Sequence, residues 1–268
     1  LMHGDGHPCQ VGESIKTCAT CFVSQHFLGR AAASVLNQLP EERLVAWGSR
    51  RENQRLPLPL RIFNPYWKQV AIMAQRLQIL QPLREQIDLV LAPTQYTRKA
   101  FLENGFRLEQ VHFLPFGVEA DHPLTRVVPV SAPHIRFLFI GRLQPYKGAH
   151  LLLEAFNHLS SAKEATLTIY GTADGYEAYY EQLQAMMIKN ERIFFGGRIA
   201  PDELGRAFAE ADYFILPSTW HENSPLILLD ALQSKTPVIA SDIGGVRDVV
   251  KDGINGLLFP MGDVPALQ

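Results

Sequence analysis

The sequence predicts an α/β protein built on parallel sheets. Three observations carry this. Short apolar runs recur from about residue 134 to the end, each stopped by polar residues or glycine. Between them lie segments whose apolar residues recur at helical spacing. The strand runs are apolar throughout rather than alternating, the pattern of a parallel sheet covered by helices on both faces.

IRFLFIG is the first strand of this series and AHLLLEAFNHL the helix after it. ATLTIYG and YEAYYEQLQAMMIKN repeat the pair. RIFFGG precedes PDELGRAFAEA, where Pro201 suits a helix start. DYFILPS leads to SPLILLDALQS, TPVIAS to a short helix at VRDVVKDG, and GLLF is the last strand. Upstream, FVSQHFLGRAAASVLNQL reads as a helix ending before Pro40 and LPLPLRIFNP as loop. QVAIMAQRLQILQPLREQI reads as a helix that Pro82 kinks or splits. IDLVLAPT is a buried strand, YTRKAFLENG a helix with Gly105 as its C-cap, and VHFLPFGV another strand. EADHPLTRVVPVSAP holds three prolines and no regular period. The chain therefore divides into an N-terminal domain over 1–120, a linker over 121–133 and a second domain over 134–268. Leu1 opens in what reads as the interior of a loop, and FPMGDVPALQ stops where a helix begins, so both ends read as cut.

Composition excludes several classes of function. With 47% hydrophobic and 19% charged residues and a net charge of −2, no field of one sign invites nucleic acid. No apolar run reaches the length of a membrane span, and LMHGDGHPCQ lacks the apolar core of a signal peptide. The three cysteines, Cys9, Cys18 and Cys21, include one C-x-x-C pair. A structural zinc needs four ligands, and His3, His7 or His26 could supply one. A lone C-x-x-C is a weak signal, so the first reading is no metal and three free thiols without a disulfide, with zinc as the alternative.

In a parallel sheet, ligands bind beyond the carboxyl ends of the strands, and the chemistry-bearing residues follow the strands. After the first comes Gly141-Arg142-Leu143-Gln144-Pro145-Tyr146-Lys147-Gly148. A loop feeding a helix N-terminus favours anions, and Arg142 and Lys147 could clamp a diphosphate, the one by bidentate bonds and the other as a mobile charge. Two solvated surface cations are the competing reading. After the fourth strand comes PSTWHENSP. Ser224 suits an N-cap and Pro225 the first helical position, which would leave the amides of Leu226 and Ile227 free for phosphate oxygens. Glu222 and Asp230 can face one cleft edge and accept hydrogen bonds from sugar or ribose hydroxyls. Glu222 could instead serve the helix dipole. Asp230, set among Leu228, Leu229, Ala231 and Leu232, needs a partner. Gly244-Gly245 is a turn signal.

Together, GRLQPYKG, PSTWHENSPLILLDAL and TPVIASDIGGVRDVVKDGINGLLF resemble, in order and spacing, the C-terminal domain of retaining GT-B glycosyltransferases of family four. The likeness covers roughly residues 85–268. It implies a GT-B fold of two Rossmann-like domains, the N-terminal acceptor-side one incomplete here and the C-terminal one binding the donor. It implies a hexosyltransferase-type enzyme that moves a sugar from a nucleotide-diphosphate sugar to a glycan, lipid-linked or small-molecule acceptor, with retention and without metal or other cofactor. Arg142 and Lys147 would bind the diphosphate and Glu222 would contact the transferred sugar; these three are the catalytic candidates. Asp230 would hold the ribose, standing, like Asp248, where the family usually has glutamate. Arg198 and Ile199 would lie against the base, and Gly141 and Gly171 at close backbone approaches. The family's glycine-rich loop and histidine would precede Leu1, so this fragment itself is expected to be inactive. The implied location is cytoplasmic, with peripheral association of the parent enzyme with the inner face of a membrane as an open extension. Two rivals are a sugar-nucleotide epimerase of the same fold and a non-catalytic nucleotide-sugar-binding module.

Overall fold

The computed structural model describes residues 82–117, 134–159, 164–188 and 190–268, together with Gln38 and Pro40. The three cysteines, the linker and nearly all of the two upstream helices lie outside the described residues. The chain forms two compact units, residues 1–91 with 98–112, and residues 92–97 with 113–268.

The first unit is described only in part. Residues 82–86 are helical. Strand β1 (Val90–Ala92) pairs with β2 (Val111–Phe113), each shorter than its apolar run suggests. Helix α1 (Gln95–Glu103) ends before Gly105, whose φ of 83° is the left-handed turn expected of a C-cap glycine. The buried amide of Gln110 donates to the carbonyls of Arg84 and Ile87, at 2.9 and 2.5 Å.

The second unit holds a six-stranded sheet. Its strands are β3 (Ile135–Ile140), β4 (Ala165–Tyr170), β5 (Ile193–Gly197), β6 (Tyr213–Leu216), β7 (Val238–Ser241) and β8 (Gly256–Phe259). Every pairing is parallel and the order is β5-β4-β3-β6-β7-β8. The crossovers carry α2 (Ala149–His158), α3 (Glu177–Met187), α4 (Leu204–Glu210), α5 (Leu226–Gln233) and the single turn α6 (Val246–Val249); α7 (Val264–Leu267) follows β8.

Period-two alternation along β3 explains why both faces must be covered. Leu138 and Ile140 enter a core with Phe208, Phe214, Leu228 and Val238, under α4 and α5. Phe139 enters the opposite core with Leu153, Phe156, Leu167 and Leu183, under α2 and α3. Each such side chain, once buried, contributes about 1.5–3 kcal/mol of transfer free energy. At the amino edge Asp212 accepts the backbone N–H of Arg136 at 2.8 Å and pairs with its guanidinium, tying β3 to β6.

One strand departs from expectation. RIFFGG reads as fully apolar, yet Phe194 and Phe195 of β5 are exposed. β5 is an edge strand, paired on one side only, to β4. Phe195 instead leans on the ring of Tyr180, at 5.3 Å.

Candidate functional site

Strand order reverses between β3 and β6, whose outgoing loops diverge to opposite faces of the sheet. Such a switch point leaves a crevice at the carboxyl edge. A cavity of about 590 Å³ occupies it. Gly141, Arg142, Gln144, Tyr146 and Lys147 line it from the loop after β3, and Trp220, Glu222, Pro225 and Ile227 from the loop after β6.

Local chain chemistry builds both loops. Pro145–Lys147 forms a 3-10 turn, unforeseen in the sequence, closed by Gly148 at φ 74°. A Cβ on Gly148 would stand 1.9 Å from the carbonyl oxygen of Pro217, so only glycine lets the two loops touch. Beside this contact the Thr219 N–H donates to the Tyr146 carbonyl at 2.9 Å. Gly171 serves the same end: its Cβ would fall 2.0 Å from the Gly141 oxygen. At the start of α2 one amide is already engaged, since His150 N–H donates to the Tyr179 hydroxyl at 3.2 Å.

The charged groups meet inside the crevice. Lys147 Nζ lies 2.6 Å from Glu222 Oε1, and the wholly buried Ser218 donates its hydroxyl to the same oxygen at 2.8 Å. Glu222 is buried, whereas Arg142 is exposed at the cavity wall. The backbone of Glu222 is held from below. Gly245 N–H donates to its carbonyl at 2.8 Å, and a Cβ on Gly245 would stand 1.7 Å from the Asn223 oxygen. The paired glycines thus approach a neighbouring loop backbone closely.

The other sequence candidates are more scattered. Helix α5 begins at Leu226 with Pro225 at its N-cap, at ψ 111°, so Ser224 is not the cap expected of it. Proline fixes φ but leaves ψ open, and the extended ψ at Pro225 makes it the cap, so the start shifts one step along. Leu226 and Ile227 stand in the first turn, where amides have no intrahelical acceptor. Ile227 reaches the cavity; Leu226 is exposed. Asp230, one turn on, lines a separate cavity of about 200 Å³ with Pro201, Leu204, Gly205 and Gln233. Burial raises its carboxyl above the ordinary aspartate value. Arg198 and Ile199 follow β5 and line neither cavity; Ile199 packs on the core beneath α4 and α5.

Sequence reasoning also passed over a clasp. Thr94 and Thr97 both donate their hydroxyls to Asn223 Oδ1, and Asp248 Oδ2 accepts the Gln95 and Tyr96 amides at 2.5 and 3.4 Å. The Tyr96 ring stacks on His221 at 5.3 Å. The signal present was Thr94 followed by Thr97, an N-cap pattern, with Thr97 N–H donating to Thr94 Oγ1 at 3.0 Å.

A search among known proteins places this architecture. Residues 128–268 match the family described as glycosyl transferases group 1. The chain belongs to that family. Among its group 1 relatives is a D-inositol 3-phosphate glycosyltransferase of Xylanimonas cellulosilytica, 30% identical over 58% of this chain and 40% of the relative. Another is a phosphatidyl-myo-inositol mannosyltransferase of Mycobacterium leprae, 31% identical over 70% of this chain and 50% of the relative. The chain thus spans about half the length, or less, of these curated relatives. HepE of Anabaena, solved with UDP and glucose, shares the fold with a TM-score of 0.62 and 24% identity, over 72% of this chain and 55% of HepE. The parallel sheet of this group 1 chain is accordingly the Rossmann-like sheet of the GT-B fold.

Proposed function

We propose that this chain supplies the donor-binding side of a hexosyltransferase that moves a sugar from a nucleoside-diphosphate sugar to a glycan, lipid-linked or small-molecule acceptor, with retention of configuration. The observation that carries the reading is the convergence of Arg142, Lys147 and Glu222 on one cavity beside the first turn of α5. Two cations and free helix amides suit a diphosphate. A lysine ammonium has three donors, so Lys147 can keep Glu222 and still reach a phosphate oxygen. As the bond from sugar to diphosphate breaks, charge grows on the leaving oxygen, and preorganised cations there lower the barrier. On this reading the two cations do the work that a divalent ion would do elsewhere. Glu222, acceptor-only when ionised, suits the sugar hydroxyls. Residues 134–268 form the donor domain and residues 1–120 belong to the acceptor side. The name of the Mycobacterium leprae relative, with phosphatidyl-myo-inositol in it, supports a lipid acceptor. A cytoplasmic enzyme at a membrane face is part of the same proposal.

Calorimetric titration with UDP, GDP and ADP and their sugars tests this. One nucleotide series is expected to bind, and Arg142→Ala to weaken it by about 1.5–3 kcal/mol, the scale of hydrogen bonds to charged groups. Absence of binding for all three series would overturn the reading.

Asp230 gives a second, separable result. If nucleotide runs along α5 from the larger cavity to the smaller, Asp230 accepts from the ribose hydroxyls. Asp230→Asn is then expected to weaken nucleotide binding by about 1–2 kcal/mol. Its effect on stability has the opposite sign. Burial raises the folded-state pKa, so the ionised carboxyl opposes folding at neutral pH. That penalty is absent below the unfolded-state pKa and complete above the folded one. The variant should melt a few degrees higher at pH 7 and no higher in acid. A variant that melts lower at pH 7 with nucleotide affinity unchanged would make Asp230 a structural residue.

A further inference from the structure

Tyr146 and Trp220 meet over the same crevice, their ring centroids 5.8 Å apart and tilted by 48°. Both line the cavity that holds Lys147 and Glu222. The pair is built rather than incidental. The Tyr146 hydroxyl donates to the buried Gln144 amide oxygen, and the Tyr146 carbonyl accepts from Thr219, the residue before Trp220. The Tyr146 ring is thus anchored through its own loop, and the Trp220 ring packs against it while the two loop backbones are joined beside it. Yet Trp220 keeps 39% of its surface exposed. An indole held open to water beside a carboxylate–ammonium pair offers an apolar face and polar groups within one side chain's reach.

A pyranose has the complementary form, with a face of C–H groups and a rim of hydroxyls. Large rings with one apolar and one wet side suit such a ligand. We propose that Trp220, backed by Tyr146, is a stacking platform for a pyranose ring at this site. The proposal rests on the donor reading above, which puts diphosphate at Arg142 and Lys147. Tyr146 directly precedes Lys147, and Trp220 stands two residues before Glu222. The platform therefore belongs at the sugar end of the diphosphate, whereas the base would lie beyond a ribose on the other side.

The test measures binding of UDP, UDP-glucose, UDP-N-acetylglucosamine, GDP, GDP-mannose, ADP, ADP-glucose, and glucose in the presence of the preferred nucleoside diphosphate. It compares the 268-residue chain with Trp220→Ala and Trp220→Phe. For a platform that takes the donor sugar, Trp220→Ala should weaken the nucleotide sugar about tenfold and leave the nucleoside diphosphate unchanged. For a platform that takes an acceptor sugar, only binding of free glucose should weaken. Trp220→Phe keeps a ring, and should recover most of either loss and show that the fold is intact. The proposal is overturned if Trp220→Ala changes no sugar-containing ligand, if it weakens the nucleoside diphosphate as much as its sugar conjugate, or if Trp220→Phe, folded by its melting curve, behaves as the alanine does. If the unmodified chain binds none of the nucleotides, the donor reading itself has failed and this proposal falls with it.

Discussion

Lys147→Met is expected to lower nucleotide-sugar affinity by about 10- to 100-fold and to destabilise the fold at the same time. The affinity loss follows from removing one of two phosphate-facing cations, on the scale of 1.5–3 kcal/mol. The stability loss comes from the other end of the ion pair. The Glu222 side chain is only 11% exposed, so without Nζ it keeps, among the described residues, Ser218 alone as a side-chain partner. Stranding a fully buried charge costs about 3–5 kcal/mol. The Lys147 side chain retains 26% exposure and water can enter, so about 1–3 kcal/mol is the better figure. The double variant Lys147→Met with Glu222→Gln separates the effects. It should recover stability, since no stranded charge remains, and should not recover binding. Urea denaturation beside calorimetry reads both. Equal stability of the single and double variants would mean that the Glu222 charge, left without Lys147, costs the fold nothing.

Gly148→Ala should be among the most damaging single-methyl changes in the described part of the chain. A left-handed backbone alone costs an alanine about 1–2 kcal/mol. Here the new methyl must also displace the Pro217 carbonyl, which is backbone at the end of β6 and cannot swing away. The two loops would part, the Thr219–Tyr146 hydrogen bond with them, and Lys147 would be carried off Glu222. A total of about 3–5 kcal/mol is expected, the range reserved for strain combined with lost packing, together with loss of nucleotide binding. Gly175 is the control. Its φ is 77° but nothing lies within 4 Å of its Cβ position, so Gly175→Ala should show backbone strain alone. If the two variants unfold at the same urea concentration, the contact with Pro217 is not what requires glycine.

The frame of the second unit was legible because burial leaves a direct trace in sequence. IRFLFI, ATLTIY, YFIL and VIAS are short, apolar and abruptly ended, and each is a strand. Edge position leaves no such trace, which is why the exposed phenylalanines of β5 read as core. Helix starts were less legible. Ser224 and Pro225 both carry start signals, and proline fixes only φ; the extended ψ that makes Pro225 the cap leaves no trace in sequence. At the site, Arg142, Lys147 and Glu222 could be picked by charge and place after a strand. Their pairing could not, because Lys147 and Glu222 are 75 positions apart and nothing local links them. Nor could Ser218 be picked, since a buried serine in sequence looks like any loop serine. The Gly244-Gly245 turn was visible, but not that the partner it approaches so closely is the Asn223 backbone.

The clasp at residues 94–97 has a consequence for how the chain folds. Its hydrogen bonds to Asn223 and Asp248 join positions 126 to 153 residues apart, whereas the sheet grows by strand–helix–strand steps of a few tens of residues. Closing a long loop is entropically unfavourable until other contacts have drawn its ends together. The clasp is therefore expected to form after the sheet has assembled, since its acceptors are in place only once the turns at Asn223 and Asp248 have set. Residues 94–97 would then be a seal on finished loops, and Asn223→Ala is expected to speed unfolding more than it slows folding, as stopped-flow rates would show.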